Sequence, residues 1–345
     1  MDNRADAPIK GEVQLWDKGN PTLLEGGSKG DRFISGKGDD HFILDEVVGT
    51  EASRDLFTKL DGGQGEDTLR LQEKSHFVYQ KGHTIDNMNQ LIVPEGNWFE
   101  MNGSNPHLTF DKAIIEQGGN FSIVGGTLES TVENAGLFAV GKVALPGFKA
   151  SKMGGASRAM SGPYAATVEG DFVNKMGGAI DLSNRYAVTD SPIGNTLTIT
   201  GDYRGEEGSS IYMNTHWDNP GDASGADSKS DRLIIKGKTV GDAPTRVIPI
   251  SRETGEEAFI DGSITAVAEQ VKNTLDVIET GGTYDRAFEG TAKTSGAGEV
   301  QLVRNKDNWR WTTSALLHEP EPEQPEPEQP EPEQPETEQP ETEKP

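Results

Sequence analysis

The chain has 345 residues, and 57 acidic side chains against 32 lysines and arginines give it a net charge of −25. A field of this sign repels nucleic acid and anionic lipid surfaces, so we expect neither as a partner, whereas calcium and basic surfaces are compatible with it. The sequence contains no apolar run of 18 residues, so we expect no direct membrane insertion. The chain has no cysteine, which excludes disulfides, a thiolate nucleophile and cysteine-ligated zinc.

Three phrases rich in glycine and aspartate occur near the N-terminus, at residues 27–33, 36–42 and 62–69. The first two are offset by nine residues, and the third repeats the phrase 27 residues after the second. Glycines permit a tight turn, while turn carbonyls and an aspartate carboxylate suit a hard cation. The apolar residue two positions after each aspartate would start an inward-facing strand.

These phrases resemble the calcium-binding nonapeptide of RTX proteins, which implies a β segment with glycine–aspartate turns over residues 1–80 and calcium as a possible cofactor. The candidate metal-site residues are Asp31, Gly36, Gly38, Asp40, Gly63, Gly65 and Asp67. Calcium takes six or more oxygens, so one turn cannot supply a site, and no phrase fills the stretch between Asp40 and Asp67. Turns without a metal are therefore the alternative prediction.

The middle of the chain predicts many short strands. Forty-two glycines and short β-branched runs exclude a helical bundle and indicate an all-β fold. Between about residues 114 and 213 these runs alternate with glycine pairs, as expected for solenoid coils stacked on a common core, and we assign coils to residues 81–194. Because the period is loose, a β-sandwich is the alternative. One helix-like pattern, at residues 264–275, equally fits a loop into a strand at residues 275–279.

From residue 195 onward, six short motifs occur in order ahead of a proline-rich segment. They are residues 195–203 (NTLTITGDY), 211–215 (IYMNT), 230–237 (SDRLIIKG), 245–247 (TRV), 282–285 (GTYD) and 308–311 (NWRW). Together they resemble the C-terminal passenger segment of pertactin-like, type V autotransporters. The resemblance implies a right-handed, single-stranded parallel β-helix, closed over residues 195–318 by a junction cap that promotes folding of the passenger.

The same resemblance implies where the protein works. A passenger of this kind is exposed on the bacterial cell surface, tethered through the outer-membrane translocator barrel of its own parent chain. It would bind an extracellular or host-surface protein or glycan, as an adhesin or virulence-associated factor. The first residues lack a signal-peptide core and no barrel pattern follows, so we interpret the chain as a portion of a larger surface protein.

Residues 319–345 repeat a five-residue unit of glutamate, proline and glutamine, with 11 glutamates and one lysine. Proline removes backbone donors and fixes φ, so this segment cannot join a sheet or a helix. Repulsion between the glutamates favours extension. The segment is predicted to be a disordered, extended linker that spaces the body from an anchor.

Enzyme signatures are missing from the sequence: six histidines are scattered, and no hydrolase or phosphate-loop motif occurs, so we expect no enzymatic activity. His216 lies near four aspartates that end with Asp231, but glycine and proline around them predict a solvated loop. Two alternatives to the passenger hypothesis stay open. One is a calcium-dependent RTX-type binding module, and the other is a polysaccharide-cleaving β-helix enzyme whose carboxylates meet across coils.

Overall fold

The structure is a computed structural model. It describes residues 12–16, 32–45, 47, 49, 53, 56–141, 163–183, 193–216, 229–241, 243–251, 254–260, 276–284, 286–294 and 300–313. Asp31, the helix-like pattern at residues 264–275 and the predicted linker lie outside the described residues.

The described residues form 29 strands in three sheets, which confirms the predicted all-β class. The long sheet contains β1 (Glu12–Trp16), β3 (His41–Asp45), β5 (Thr68–Gln72), β8 (Gln90–Val93), β10 (His107–Ile115), β12 (Gly126–Asn134), β14 (Ala165–Glu169), β15 (Phe172–Asn174), β17 (Thr196–Ile199), β18 (Tyr203–Gly205), β21 (Arg232–Ile235), β22 (Thr239–Val240), β24 (Phe259–Ile260), β25 (Ile278–Thr280), β27 (Thr291–Thr294), β28 (Val300–Asn305) and β29 (Asn308–Thr313). The nine-stranded sheet contains β6 (His76–Tyr79), β9 (Trp98–Asn102), β11 (Asn120–Val124), β13 (Leu137–Val140), β16 (Ala179–Asp181), β19 (Ser210–His216), β20 (Lys229–Ser230), β23 (Thr245–Ile250) and β26 (Phe288–Glu289). The three-stranded sheet contains β2 (Arg32–Ile34), β4 (Lys59–Asp61) and β7 (Thr84–Asp86).

Strand pairing is mainly parallel and follows a regular rule. Successive strands usually belong to different sheets, and each strand pairs with one that follows later in the chain. We use the word circuit for the stretch of chain between a residue and its next parallel partner. The circuit from Asp40 to Asp67 is 27 residues long, and the next two, to Asn89 and to Asp111, are 22 each. This pattern does not fit the alternative prediction of an antiparallel β-sandwich.

One hydrophobic cluster runs from Phe33 to Trp311 without a break at residue 80 or 194. Parallel in-register pairing places like side chains above one another, and alternation sends every second one inward. Aromatic rings form a continuous row, with neighbouring centroids 5.2 to 6.2 Å apart: Phe57, Phe77, Phe99, Phe121, Phe138, Phe172, Tyr203, Phe288 and Trp309. The proposed domain boundaries stay a prediction.

Connections differ sharply between the edges of the sheets. From the long sheet to the nine-stranded sheet one tight turn recurs, with glycine at φ between 74° and 77° at Gly96, Gly118, Gly177 and Gly208. These φ values are left-handed, a conformation that favours glycine over any residue with a Cβ. Return connections from the nine-stranded sheet to the long sheet vary widely in length, from residue 125 alone to residues 103–106, 251–258, 182–195 and 141–164.

The C-terminal end of the stack changes from parallel to antiparallel pairing. Strand β28 pairs antiparallel with β27 and β29, and β29 pairs antiparallel with β25, the last strand in its column of parallel pairs. Trp309 and Trp311, both on β29, are 3% and 1% exposed and join the common core. The antiparallel hairpin therefore occupies the position that another parallel strand would take.

Candidate functional site

The glycine–aspartate phrases form a corner where the chain passes from the three-stranded sheet to the long sheet. Residues 35–40 connect β2 to β3, and residues 62–67 connect β4 to β5 one circuit later. The two connections are hydrogen-bonded directly: Gly38 N–H donates to the Gln64 carbonyl at 2.7 Å, and Gln64 N–H donates to the Gly36 carbonyl at 2.8 Å. Two phrases that the sequence shows as separate units are thus stacked neighbours.

Close packing of the backbone requires glycine at positions in this corner. Gly63 and Gly65 have φ of 83° and 142°, in the region that side chains rarely adopt. A Cβ at Gly63 would overlap the Gly36 carbonyl oxygen, and one at Gly65 would overlap that of Gly38. Two of the predicted site residues, Gly63 and Gly65, are therefore glycine for a structural reason that holds with or without a cation.

The two aspartates of the corner are buried beside each other. Asp40 and Asp67 are 0% and 1% exposed, and Asp40 N–H donates to Asp67 Oδ1 at 2.9 Å. Both carboxylate oxygens of Asp40, and Oδ2 of Asp67, have no hydrogen-bond partner among the described residues. Burial raises the pKa of Asp67 to about 6, and the nearby negative charge of Asp40 adds to the effect.

The corner continues into two residues that lie outside the three glycine–aspartate phrases. Asp67 N–H donates to Asn89 Oδ1 at 2.8 Å, and Asn89 Nδ2 donates to Asp111 Oδ2 at 2.7 Å. Each step spans 22 residues. That constant interval was visible in the sequence and would have extended the site to Asn89 and Asp111.

The corner fits calcium in chemistry but not in ligand number. Carboxylate oxygens are ligands that Ca²⁺ prefers, yet the ion takes six to eight oxygens. The described residues offer three unpartnered carboxylate oxygens, and the carbonyls of Gly36 and Gln64 already accept backbone hydrogen bonds. Within the described ranges, no group of three or more histidine, aspartate or glutamate side chains could hold a metal ion. The predicted ligand Asp31 lies outside these ranges.

A second buried carboxylate lies at the edge where the nine-stranded sheet returns to the long sheet. Asp231 is 0% exposed and accepts three backbone N–H bonds, from Gly194 and Asn195 at 2.8 Å and from Asn214 at 2.7 Å. Burial raises the pKa of Asp231 to about 8, although these three donors lower it. The predicted solvated loop is wrong for Asp231, because its carboxylate ties together three segments of backbone; residues 217–228 lie outside the described residues.

Comparison of the chain with protein-family models gives no match, and the curated proteins compared with it include no similar sequence. Among the described residues, no helix has the length and apolarity that a membrane crossing requires.

Proposed function

We propose that the chain is the stem and folding-junction part of a surface-exposed autotransporter passenger, an adhesin or virulence-associated factor that binds a host or cell-surface partner. In this proposal the finer fold is a right-handed, single-stranded parallel β-helix tethered to the outer membrane through the translocator barrel of its parent chain. The order of the C-terminal motifs supports the proposal, and the mainly parallel pairing is compatible with it.

One structural observation carries the proposal: the parallel stack ends in an antiparallel hairpin with two buried tryptophans. A stack in which each circuit is templated on its neighbour has a costly first step, because the first circuit has no partner. A hairpin is joined by a short turn and forms from contacts close in sequence. An end of this kind can form early and present an edge for the next circuit.

Surface display tests the proposal. The full chain would be placed between an export signal and an outer-membrane translocator barrel in a Gram-negative bacterium, and surface exposure measured by antibody binding to intact cells and by protease resistance. We expect a protease-resistant body on the surface, and a lower yield for Trp311→Ala, which empties a position that is 1% exposed. The matched control is Lys306→Ala, an exposed residue in the turn of the same hairpin. Failure to reach the surface, or equal yields of both variants, would contradict the proposal.

Calcium binding at the Asp40–Asp67 corner is a second candidate function, because three buried carboxylate oxygens lack a partner there. Asp40 and Asp67 would hold the ion, whose positive charge would offset the cost of burying two acids. Calorimetric titration of the full chain should then show saturable binding in the sub-millimolar range or weaker, together with a higher melting temperature.

Asp40→Asn should weaken this binding, whereas Asp39→Asn, an exposed neighbour in the same turn, should not. Calcium that leaves both heat and melting temperature unchanged would support metal-free turns instead.

A further inference from the structure

The three-stranded sheet stops at β7, although the chain goes on to the next circuit. Residues 107–109 of β10 pair with β12 on one side, but on the other side β10 meets the preceding circuit only through residues 112–115, which pair with β8. Strand β7 is the last in the order β2, β4, β7. Two neighbouring circuits are therefore joined at the long sheet and at the nine-stranded sheet, and separate between β7 and the first half of β10.

The separation comes from different paths at one corner. In the earlier circuit, β7 ends at a turn with Asn87 in the left-handed region, at φ 52°, before β8 begins. In the next circuit the chain stays extended through the equivalent positions, and β10 is a single nine-residue strand with an irregularity between Thr109 and Lys112. Both paths have the same length, so they diverge without changing the register on either side.

The divergence leaves a groove of about 770 Å³, which we call the slot. Tyr79 contributes to its lining, and its rim carries Thr84, Asp86, Asn87, His107, Thr109 and Asp111. The facing edges of β7 and β10 have no strand partner there among the described residues, so backbone N–H and C=O groups also face the groove. Unpaired strand edges of this kind are open to an external hydrogen-bonding partner.

The rim side chains are held in place by contacts with their neighbours. Asn87 Nδ2 donates to Asp61 Oδ1 at 2.7 Å, and Asn89 Nδ2 donates to Asp111 Oδ2 at 2.7 Å. Thr109 Oγ1 donates to Glu129 Oε2 at 3.1 Å. Side chains oriented in this way lose little further freedom when they bind a ligand.

We infer that the slot binds a short, neutral oligosaccharide. Sugar hydroxyls both donate and accept, which matches an edge that offers backbone donors and acceptors beside carboxylates and amides. Asp111 disfavours anionic ligands, and so does Asp86, whose charge is only partly offset because it shares Lys59 with Asp61. The volume lies in the range of small-ligand sites. The two circuits rejoin at both ends of the slot, where Tyr79 pairs with Met101 and Gln90 pairs with Lys112, so a long extended peptide cannot pass along it.

The inference goes beyond the proposed function and does not depend on where the chain is located. It is tested first with the labelled full chain on a printed array of neutral, sialylated and sulfated oligosaccharides. Binding confined to neutral members is expected. An array without signal, or a preference for sialylated or sulfated members, would overturn the inference.

The strongest neutral member is then titrated by calorimetry against variants of the slot. Asp111→Asn should weaken binding about tenfold or more, because a hydrogen bond to a charged acceptor is lost. Thr109→Trp, or Thr84→Trp if the first variant unfolds, should abolish binding by filling the slot. Glu169→Ala is the matched control, since Glu169 is exposed and occupies the register of Thr109 two circuits later. Equal binding by the slot variants and the control would refute the assignment.

Discussion

The row of aromatic rings predicts that one ring in its middle contributes a large share of local stability. Phe121 is 1% exposed, and its ring lies 5.6 Å from that of Phe99 and 5.2 Å from that of Phe138. Full burial of a phenylalanine is worth about 2–3 kcal/mol, and each ring contact adds roughly 0.5–1.5 kcal/mol. Phe121→Ala should therefore lower the free energy of unfolding by about 3–5 kcal/mol, the usual cost of such a core truncation.

Urea unfolding, followed by tryptophan fluorescence and circular dichroism, measures this loss. Phe121→Leu keeps an apolar side chain but removes both ring contacts, and should cost about 1–3 kcal/mol, less than Phe121→Ala. Met176→Ala, at a position 69% exposed, should change stability by no more than about 0.5 kcal/mol. A cost for Phe121→Ala below about 1 kcal/mol, or equal to that of Met176→Ala, would refute the assignment of the row to a packed core.

Three further predictions concern single positions. Gly65→Ala should lower the urea midpoint, since strain at φ 142° costs on the order of 1–3 kcal/mol before the overlap with the Gly38 carbonyl is added; an unchanged midpoint would contradict this corner geometry. Trp311→Ala should lower the free energy of unfolding by about 3–5 kcal/mol by the same assay, and a loss no larger than that of Lys306→Ala would mean that the hairpin is not part of the core. The pKa of Asp231 is about 8 in the folded chain against 3.8 ordinarily, so its stabilising contribution is complete below about pH 4 and is lost as pH rises through 8. Between pH 4 and 8 the free energy of unfolding of the parent chain should therefore fall relative to that of Asp231→Asn, whose side chain does not titrate. A difference between the two that stays constant with pH would show that Asp231 does not titrate in this range.

The all-β class was predictable because short β-branched runs and glycine turns are local features. The period was harder to read, although it is constant in one region: Phe77, Phe99 and Phe121 are each 22 residues apart and stack on one another. Phe138 follows at a shorter interval, and the circuit after it is much longer, so the repeat fades when it is averaged over the chain. Unequal connections, not weak packing, hide the repeat.

The candidate site was predictable in its residues but not in its geometry. The glycines and aspartates at residues 36–40 and 62–67 are visible as a motif, yet only the 27-residue register shows that Asp40 and Asp67 are direct neighbours. Burial of Asp231 was not predictable, because two of its donors, Gly194 and Asn195, are more than 35 residues away in sequence. A polar stretch therefore looks like a surface loop in the sequence, even when backbone from a distant part of the chain buries it.

The uneven connections have a consequence for how such a chain can change during evolution. Tight turns with left-handed glycine, or glycines packed against the neighbouring carbonyl, fix the spacing at two edges of the stack, so an inserted residue there would break hydrogen bonds in adjacent circuits. At the return edge, connections as different as residue 125 and residues 141–164 leave parallel pairing intact. Insertions and deletions can therefore accumulate along one edge while the rest of the body keeps its dimensions. Residues added there by mutation or by design would leave the pairing of the strands unchanged.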